Sequence, residues 1–141
     1  MAEDWGARIA RAVEAWNRGD VQASVATLLE GVDPEIELHP DPNWPESGPF
    51  TGLDGAQELV GSWLVAWGSA GKVEIEEFRD LGDRMVGRSR FHIAGKGSGA
   101  EVEMGTSFVA DLDDGIAVRC HFFFDHDEAL RMAGLEGSEP G

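Results

Sequence analysis

Apolar residues recur at helical spacing near the start of the chain, and this pattern predicts an amphipathic helix over residues 4–17. Its apolar face consists of Trp5, Ile9, Val13 and Trp16. A second helix is expected after Asp20, whose side chain can cap the free N–H groups of a first turn. A turn at 33–34 and an alternation of polar and apolar residues over 35–39 then predict a half-buried strand.

The segment 40–52 has a different character, because four of the six prolines lie in it. Proline lacks an N–H donor and restricts the residue before it, so this segment is expected to be a stiff loop. Asp54 and Gln57 then resemble the capping box of a third helix. The apolar side of that helix consists of Leu59, Val60, Trp63, Leu64 and Trp67.

From Lys72 onward the apolar period is two, which predicts four strands separated by turns at 82–83, 95–99 and 113–115. The helices precede the hairpins, so the fold class is α+β. A short helix is expected after Asp125, which we interpret as its N-cap and not as a catalytic carboxylate.

The two faces of this sheet follow from strand pairing. If the middle turn centres near Gly97, Phe91 lies opposite Val102 and Ser89 lies opposite Met104, so one face is apolar. The predicted inner face consists of Val73, Ile75, Met85, Ser89, Phe91, Ile93, Val102, Met104, Thr106, Phe108, Val118, Cys120, Phe122 and Phe124. The predicted outer face carries Arg88, Arg90, His92, Glu101, Glu103, Arg119 and His121. We expect this outer face to be a salt-bridged surface or a dimer interface.

Composition and charge restrict the class of protein. The length of 141 residues suits a single domain, 1–141, with an ordered core at about 4–134 and an acidic, glycine-rich tail at 135–141. The net charge of −16 argues against nucleic acid or an anionic membrane as partner. The single cysteine and the acidic start of the chain, which does not resemble a signal peptide, predict a cytoplasmic protein.

Several segments, taken in order, carry a family resemblance: EAWNRGD at 14–20, WPESGPFTG at 44–52, GD at 82–83, GSG at 97–99 and FDHDEAL at 124–130. With the order of elements they resemble the SnoaL-like polyketide cyclase domain of the superfamily named after nuclear transport factor two. The resemblance spans about residues 5–134. It implies three N-terminal helices packed in the concave face of a curved, mainly antiparallel sheet, a cone-shaped barrel with an apolar pocket. It also implies a homodimer through the outer sheet face.

The resemblance does not imply one activity, because this superfamily hosts isomerases, epoxide hydrolases, dehydratases, cyclases and plain binding domains. Ketosteroid isomerases carry a base just before the proline that ends their first strand, and His39 has this position here. The arginine and the two aspartates of limonene-epoxide hydrolases correspond to Ser89, Phe91 and Phe122. Ala12 takes the place of the first-helix tyrosine of ketosteroid isomerases, and the last two strands lack the inward acidic residue of SnoaL-type cyclases, so the chain departs from all three catalytic sets.

His39 is the candidate acid or base, since an imidazole with a pKa of about 6.5 exchanges protons at neutral pH. Asp41 and Glu46 follow in the proline-rich loop and are the candidates to assist it. His39 alternates away from the apolar Ile36 and Leu38, so it enters the pocket only if the strand twists at its end. Otherwise it is a rim histidine bonded to the loop. Glu46 has two alternatives, capping the third helix or facing solvent.

Nine residues are candidates for ligand contact, as aromatic rings or as the few polar groups beside an apolar pocket: Trp16, Trp44, Trp63, Ser89, Phe91, Thr106, Phe108, Cys120 and Phe122. For the aromatic residues, core packing is the alternative. A nucleophilic Cys120 is not expected, because no histidine is predicted on its face. The histidines lack metal spacing and no phosphate-binding glycine loop occurs, so neither metal nor cofactor is expected.

The sequence therefore predicts a protein with a pocket for a small, largely apolar organic molecule. One hypothesis is cofactor-independent acid–base chemistry: isomerisation, cyclisation, dehydration or hydrolysis. The alternative is a non-catalytic domain that binds a ligand or forms a dimeric interaction module.

Overall fold

The structure is a computed structural model of the chain and describes residues 4–41, 49–67, 71–94 and 101–134. It confirms the α+β class. The elements in chain order are α1 (Trp5–Asn17), α2 (Val21–Leu29), β1 (Val32–His39), β2 (Phe50–Thr51), α3 (Gly52–Trp67), β3 (Lys72–Asp80), β4 (Arg84–Ala94), β5 (Glu101–Asp113), β6 (Ile116–Phe123) and α4 (His126–Met132). The predicted tail at 135–141 lies outside the described residues.

Aspartates cap the first two helices, of which only Asp20 was predicted to do so. The carboxylate of Asp4 accepts a hydrogen bond from Ala7 N at 2.9 Å, and that of Asp20 accepts one from Ala23 N at 3.0 Å. Each bond satisfies a backbone donor that lacks a partner within the first helical turn.

The third helix corrects a prediction. It begins at Gly52, so that Asp54, the predicted capping residue, lies within its first turn. Gly52 has a φ of 78°, a conformation that glycine adopts without a steric penalty, and it lies where the chain turns from β2 into the helix. A capping-box pattern does not reveal a glycine turn that starts the helix earlier.

The six strands form one sheet in the order β2-β1-β6-β5-β4-β3. The predicted antiparallel meander of β3 to β6 is confirmed. The short β2, and the parallel pairing of β1 with β6, were not predicted. Because β2 and β3 are the two edges, the sheet is open, and the expected cone-shaped barrel is corrected to an open, mixed sheet.

Strand β1 is longer than predicted, because it includes Asp33 and Pro34, which were expected to form a turn. A local turn contact is present, since the Asp33 carboxylate accepts a hydrogen bond from Glu35 N at 2.8 Å. The pairing with β6 is irregular between Val32 and Glu37. Pro34 is tolerated in this stretch because its missing N–H does not interrupt a regular ladder.

The pairing of β4 with β5 has the predicted faces and a different register. Phe91 lies opposite Met104 and Ser89 lies opposite Thr106, a slip of two residues from the prediction. A slip of two leaves every side chain on its original face, whereas a slip of one would reverse them all. Alternation alone therefore fixes the faces and not the register.

We define the inner face of the sheet as the one that faces α1, α2 and α3. The pairing of β5 with β6 shifts after Asp111, and this β-bulge turns both Ala117 and Cys120 inward although they are three residues apart. Val118 and Phe124 were both predicted to lie on the inner face, and both predictions are wrong. Val118 does not join the inner wall, and Phe124 lies beyond the end of β6, where it is 40% exposed.

The three N-terminal helices pack on the inner face, as predicted, and form two buried apolar clusters with it. The larger cluster joins Trp5 and Ile9 of α1 and Leu59 of α3 to the strands. The smaller one joins Trp16 of α1 to Phe91 and other residues of β3 and β4. Each large apolar side chain buried in this way contributes about 1.5–3 kcal/mol to folding.

The outer face carries the predicted network of ion pairs. Arg90 contacts Glu76 at 2.6 Å and Glu103 at 3.3 Å, and His92 contacts Glu74 at 2.9 Å. Isolated exposed pairs contribute at most about 1 kcal/mol each, so the network chiefly keeps this face polar.

Helix α4 packs on the outer face, which the sequence did not indicate. Ala129 is fully buried there against Val86 and Val109. The Ser107 hydroxyl lies 2.7 Å from Nδ1 of His126 and links β5 to this helix. The chain itself therefore covers part of the outer face, and a homodimer through the remaining part stays a prediction.

Asn17, the last residue of α1, attaches the helix layer to the edge strand β3. Its side-chain amide donates to Val73 O at 2.9 Å and accepts from Val73 N at 2.8 Å. Both backbone groups of an edge-strand residue are thereby satisfied by one side chain, which protects that edge from other strands.

We predict that Asn17→Ala lowers the free energy of unfolding by about 1–3 kcal/mol, because it leaves both backbone groups of Val73 without this partner. Urea unfolding followed by tryptophan fluorescence measures the effect. Gln22→Ala, at an exposed position of α2, is the control and should change stability by less than about 0.5 kcal/mol. Equal stability of the two variants would contradict the role of Asn17.

Candidate functional site

A cavity of about 230 Å³ lies between the inner face of the sheet and helices α1, α2 and α3. All three helices and the strands β1, β3, β4, β5 and β6 contribute side chains to its wall. The alternation of the strands explains its position, because the apolar side chains of five strands point towards the apolar stripes of the helices.

Aromatic rings at right angles to one another form much of the wall. Trp16 meets Phe91 edge to face, with ring centroids 5.8 Å apart, and Trp63 meets Phe122 in the same way at 5.3 Å. Such pairs add about 0.5–1.5 kcal/mol beyond the burial of their surface, so they hold the rings in place. Trp5 is fixed by a hydrogen bond from Nε1 to Gly115 O at 3.0 Å.

Among the described residues that line the cavity, only four carry a hydroxyl or thiol group: Ser24, Ser89, Thr106 and Cys120. None of the wall residues that the structure describes carries a charge. An ionised ligand would lose its hydration here without a countercharge, which is costly. The wall therefore suits an uncharged molecule with at most a few polar atoms.

Cys120 is the only cysteine of the chain and is buried in this wall. Burial, and to a lesser degree the charge of Asp111, raises the pKa of its thiol. The thiol is thus held neutral and is a weak nucleophile, in agreement with the expectation from sequence.

Eight of the nine predicted contact residues line the cavity: Trp16, Trp63, Ser89, Phe91, Thr106, Phe108, Cys120 and Phe122. The ninth, Trp44, lies outside the described residues. Sequence reasoning missed Ser24, which is 3% exposed and precedes Val25 of the apolar stripe of α2. Its polar side chain gave no apolar signal, and only its neighbours on the helix indicated its direction.

His39 is not brought to the cavity. Its Nε2 lies 3.1 Å from Oε1 of Glu37, and its ring stacks on that of His121, with centroids 4.4 Å apart and planes 11° from parallel. Glu37 also contacts Arg119 of the outer face, at 3.4 Å. The strand does not twist His39 inward, because its register beside His121 on the parallel strand β6 keeps both imidazoles on the outer face.

Within this outer cluster, neighbouring groups and partial burial lower the pKa values of Glu37 and His121. The hydrogen bond from His39 and the contact with Arg119 lower the pKa of the Glu37 carboxyl. Partial burial, followed by the neighbouring His39, lowers the pKa of His121. Two stacked imidazoles share one small volume, so a positive charge on one opposes a charge on the other.

Asp41 is buried, at 5% exposure, and does not line the cavity. Its Oδ2 accepts a hydrogen bond from Phe124 N at 2.9 Å, which joins the end of β1 to the end of β6. Asp41 lines a small separate space of about 10 Å³, and Trp63, Thr106 and Phe122 line both this space and the cavity. The structure thus brings Asp41 close to the wall, whereas Glu46 lies outside the described residues.

Among the described residues, no three His, Cys, Asp or Glu side chains are grouped as a metal ion requires. No helix within the described ranges is long and apolar enough to span a membrane.

Comparison with solved structures identifies the fold. A protein of unknown function from Burkholderia pseudomallei K96243, described as NTF2-like, superposes with a TM-score of 0.65 at 18% identity, over 89% of this chain and 94% of that one. A SnoaL-like polyketide cyclase, so named on the basis of similarity, from Jannaschia sp. CCS1 gives 0.61 at 18% identity, over 93% of both chains.

TerC, co-crystallised with polyporic acid, gives a TM-score of 0.64 at 20% identity, over 92% of this chain and 98% of that one. No protein-family model and no curated protein sequence matches the chain. The likeness is therefore one of fold, and it confirms the fold that the resemblance implied.

The lowered pKa of His121 predicts a loss of stability in mild acid. An ordinary imidazole has a pKa of about 6.5, so below this pH the unfolded chain binds a proton that the folded His121 resists. The melting temperature should therefore fall as the pH is lowered from 7 through 6, until the pKa of the folded state is reached.

Thermal unfolding of His121→Gln checks this expectation, because the variant should lose less stability over the same interval. His92→Gln, which removes an imidazole placed between Glu74 and Glu103, is the control and should not relieve the loss. A pH profile of His121→Gln that matches the unmodified protein would contradict the assignment.

Proposed function

We propose that this chain, which has the nuclear transport factor two-like fold, binds a compact, uncharged and largely apolar organic molecule in the cavity between sheet and helices. The observation that carries the proposal is a cavity of about 230 Å³ whose described wall bears no charge. Ser89, Thr106 and Cys120 are the groups that would orient a polar atom of such a molecule.

The use of this fold in TerC, which was co-crystallised with polyporic acid, supports ligand binding as a function of the architecture. It does not indicate polyporic acid as the ligand here, because an identity of 20% shows only the fold. The alternative of a purely structural interaction domain predicts no response to small molecules.

Thermal unfolding with a matched pair of compounds tests the proposal. Naphthalene should raise the melting temperature with increasing concentration, because a ligand that binds only the folded state stabilises it by mass action. Naphthalene-2-sulfonate should not, since its charge would have to enter an uncharged wall. No response to naphthalene or other neutral ring compounds of this size would contradict the proposal.

Two substitutions in α1 test whether naphthalene stabilises the protein by binding in the cavity. Ala12 is 3% exposed and lines the cavity, so Ala12→Leu should weaken the stabilisation by naphthalene. Ala10→Leu makes the same change at an exposed position of the same helix and should respond as the unmodified protein does. An equal response of both variants would place the ligand elsewhere.

A second candidate function is proton transfer to or from the bound molecule, with Asp41 as the acid or base. Two features favour it: Asp41 is a buried carboxylate, and it lines a small space that shares Trp63, Thr106 and Phe122 with the wall of the cavity. A space of this size is about that of one water molecule, and a general base can act through one water. In this proposal Asp41 replaces His39 as the group that moves the proton.

The ring opening of 5-nitrobenzisoxazole is a suitable test, because this bicyclic, uncharged probe needs only a base. The base removes the proton from carbon 3, the N–O bond breaks, and a coloured cyanophenolate is formed. Asp41→Asn should lower the rate by roughly 100-fold or more, and the amide oxygen can still accept the bond from Phe124 N.

His39→Ala is the control and should keep the rate of the unmodified protein, because its ring lies on the outer face. Loss of activity in His39→Ala would instead support the histidine. Equal rates for Asp41→Asn and the unmodified protein would contradict a role for Asp41.

A further inference from the structure

Gly87 and Phe108 form an unusual contact at the floor of the cavity. They lie directly opposite each other in the antiparallel pairing of β4 and β5, on the inner face. A Cβ atom at position 87 would lie 2.5 Å from both Cε1 and Cζ of Phe108. The phenyl ring therefore lies across the backbone of β4 in the space that any other residue's side chain would occupy.

This arrangement keeps the ring out of the cavity. Opposite residues on one face of an antiparallel pair have Cβ atoms within about 5.5 Å, so two side chains there normally stand side by side. With no side chain on Gly87, the ring of Phe108 occupies the space beside the β4 backbone, and Phe108 also lines the cavity. On the other side of Gly87, the paired residue Phe78 of β3 belongs to the larger apolar cluster, so that side is filled.

The volume of the cavity indicates how large a molecule fits. An engineered apolar cavity of roughly 150 Å³ binds benzene. A cavity of about 230 Å³ is half as large again, which suits two fused rings and not three. Any inward displacement of Phe108 would remove a substantial part of this space.

We infer that Gly87 and Phe108 together set the size limit of the cavity and select uncharged molecules of about two fused rings. This inference rests on the proposed binding function and adds to it the size class of the ligand and the pair of residues that determines it. Gly87 has no side chain and so leaves room for the ring of Phe108. That ring forms part of the sheet side of the cavity wall, and its position sets the space above the sheet.

Calorimetric titration with benzene, naphthalene and phenanthrene tests the inference on the full chain. The unmodified protein should bind naphthalene and not phenanthrene. In Gly87→Ala the new methyl group displaces the ring of Phe108 into the cavity. The affinity for naphthalene should therefore fall roughly tenfold or more, while benzene still binds. In Phe108→Leu, which has a smaller floor residue, phenanthrene should bind.

Gly105→Ala is the matched control. Gly105 lies on the neighbouring strand β5, opposite the outer-face residue Arg90, and a Cβ there would have 3.9 Å to its nearest neighbour, Ser89 O. This variant should bind all three compounds as the unmodified protein does. Melting curves of each variant verify that it is folded, and Phe108→Leu keeps the inference testable if Gly87→Ala does not fold.

The outcomes separate the two claims. If the unmodified protein binds naphthalene but Gly87→Ala binds it equally well, the size limit is overturned and the binding function stands. Binding of phenanthrene to the unmodified protein overturns the size class in the same way. If none of the three compounds binds, the binding function fails and the inference fails with it.

Discussion

The alternation of side chains across β4, β5 and β6 is the constraint on which the rest of the structure depends. It separates an apolar face from a charged face within the same strands, so one face must be covered and the other can meet water. Helices α1, α2 and α3 cover the apolar face, and the ion pairs of Arg90 and His92 keep the opposite face polar. The cavity is the space that this covering leaves between the two layers.

Much of the fold could be predicted because these signals are local. Asp20 caps the second helix as expected, and the period of two assigns the four strands of the meander. The two-residue slip of Phe91, the bulge beside Ala117 and the parallel pairing of β1 with β6 could not be predicted. Each depends on contacts between distant segments, and each leaves the local pattern of polar and apolar residues unchanged.

The candidate site, like the fold, could be predicted only where the signal is local. Aromatic residues on the inner face were predicted from periodicity, because residues that line a cavity and residues that face a core follow the same apolar alternation along a strand. The resemblance to isomerases directed attention to His39, and the strand parity that argued against it proved decisive, since the ring stacks on His121 outside the cavity. The position of Asp41 depends on its bond to Phe124, 83 residues away in the sequence, which no local pattern contains.

The proposed binding and the proposed proton transfer involve different parts of one cavity. The described wall carries no charge, the ring of Phe108 lies against Gly87 at the sheet, and the buried Asp41 lines a small space that shares Thr106 with the cavity. The ion pairs and helix α4 lie on the opposite, outer face of the sheet. The charged groups and the apolar cavity of this acidic chain are thus on different sides of one sheet.

The central claim is that the cavity accepts a neutral, compact ring compound. The most direct measurement is the anomalous diffraction of bromine in crystals of the protein grown with 1-bromonaphthalene. If the cavity binds the compound, one strong bromine peak is expected inside it, within contact of Trp63 and Phe122. A crystal in which the ring compound binds only at the surface, or in which side chains fill the cavity, would contradict it.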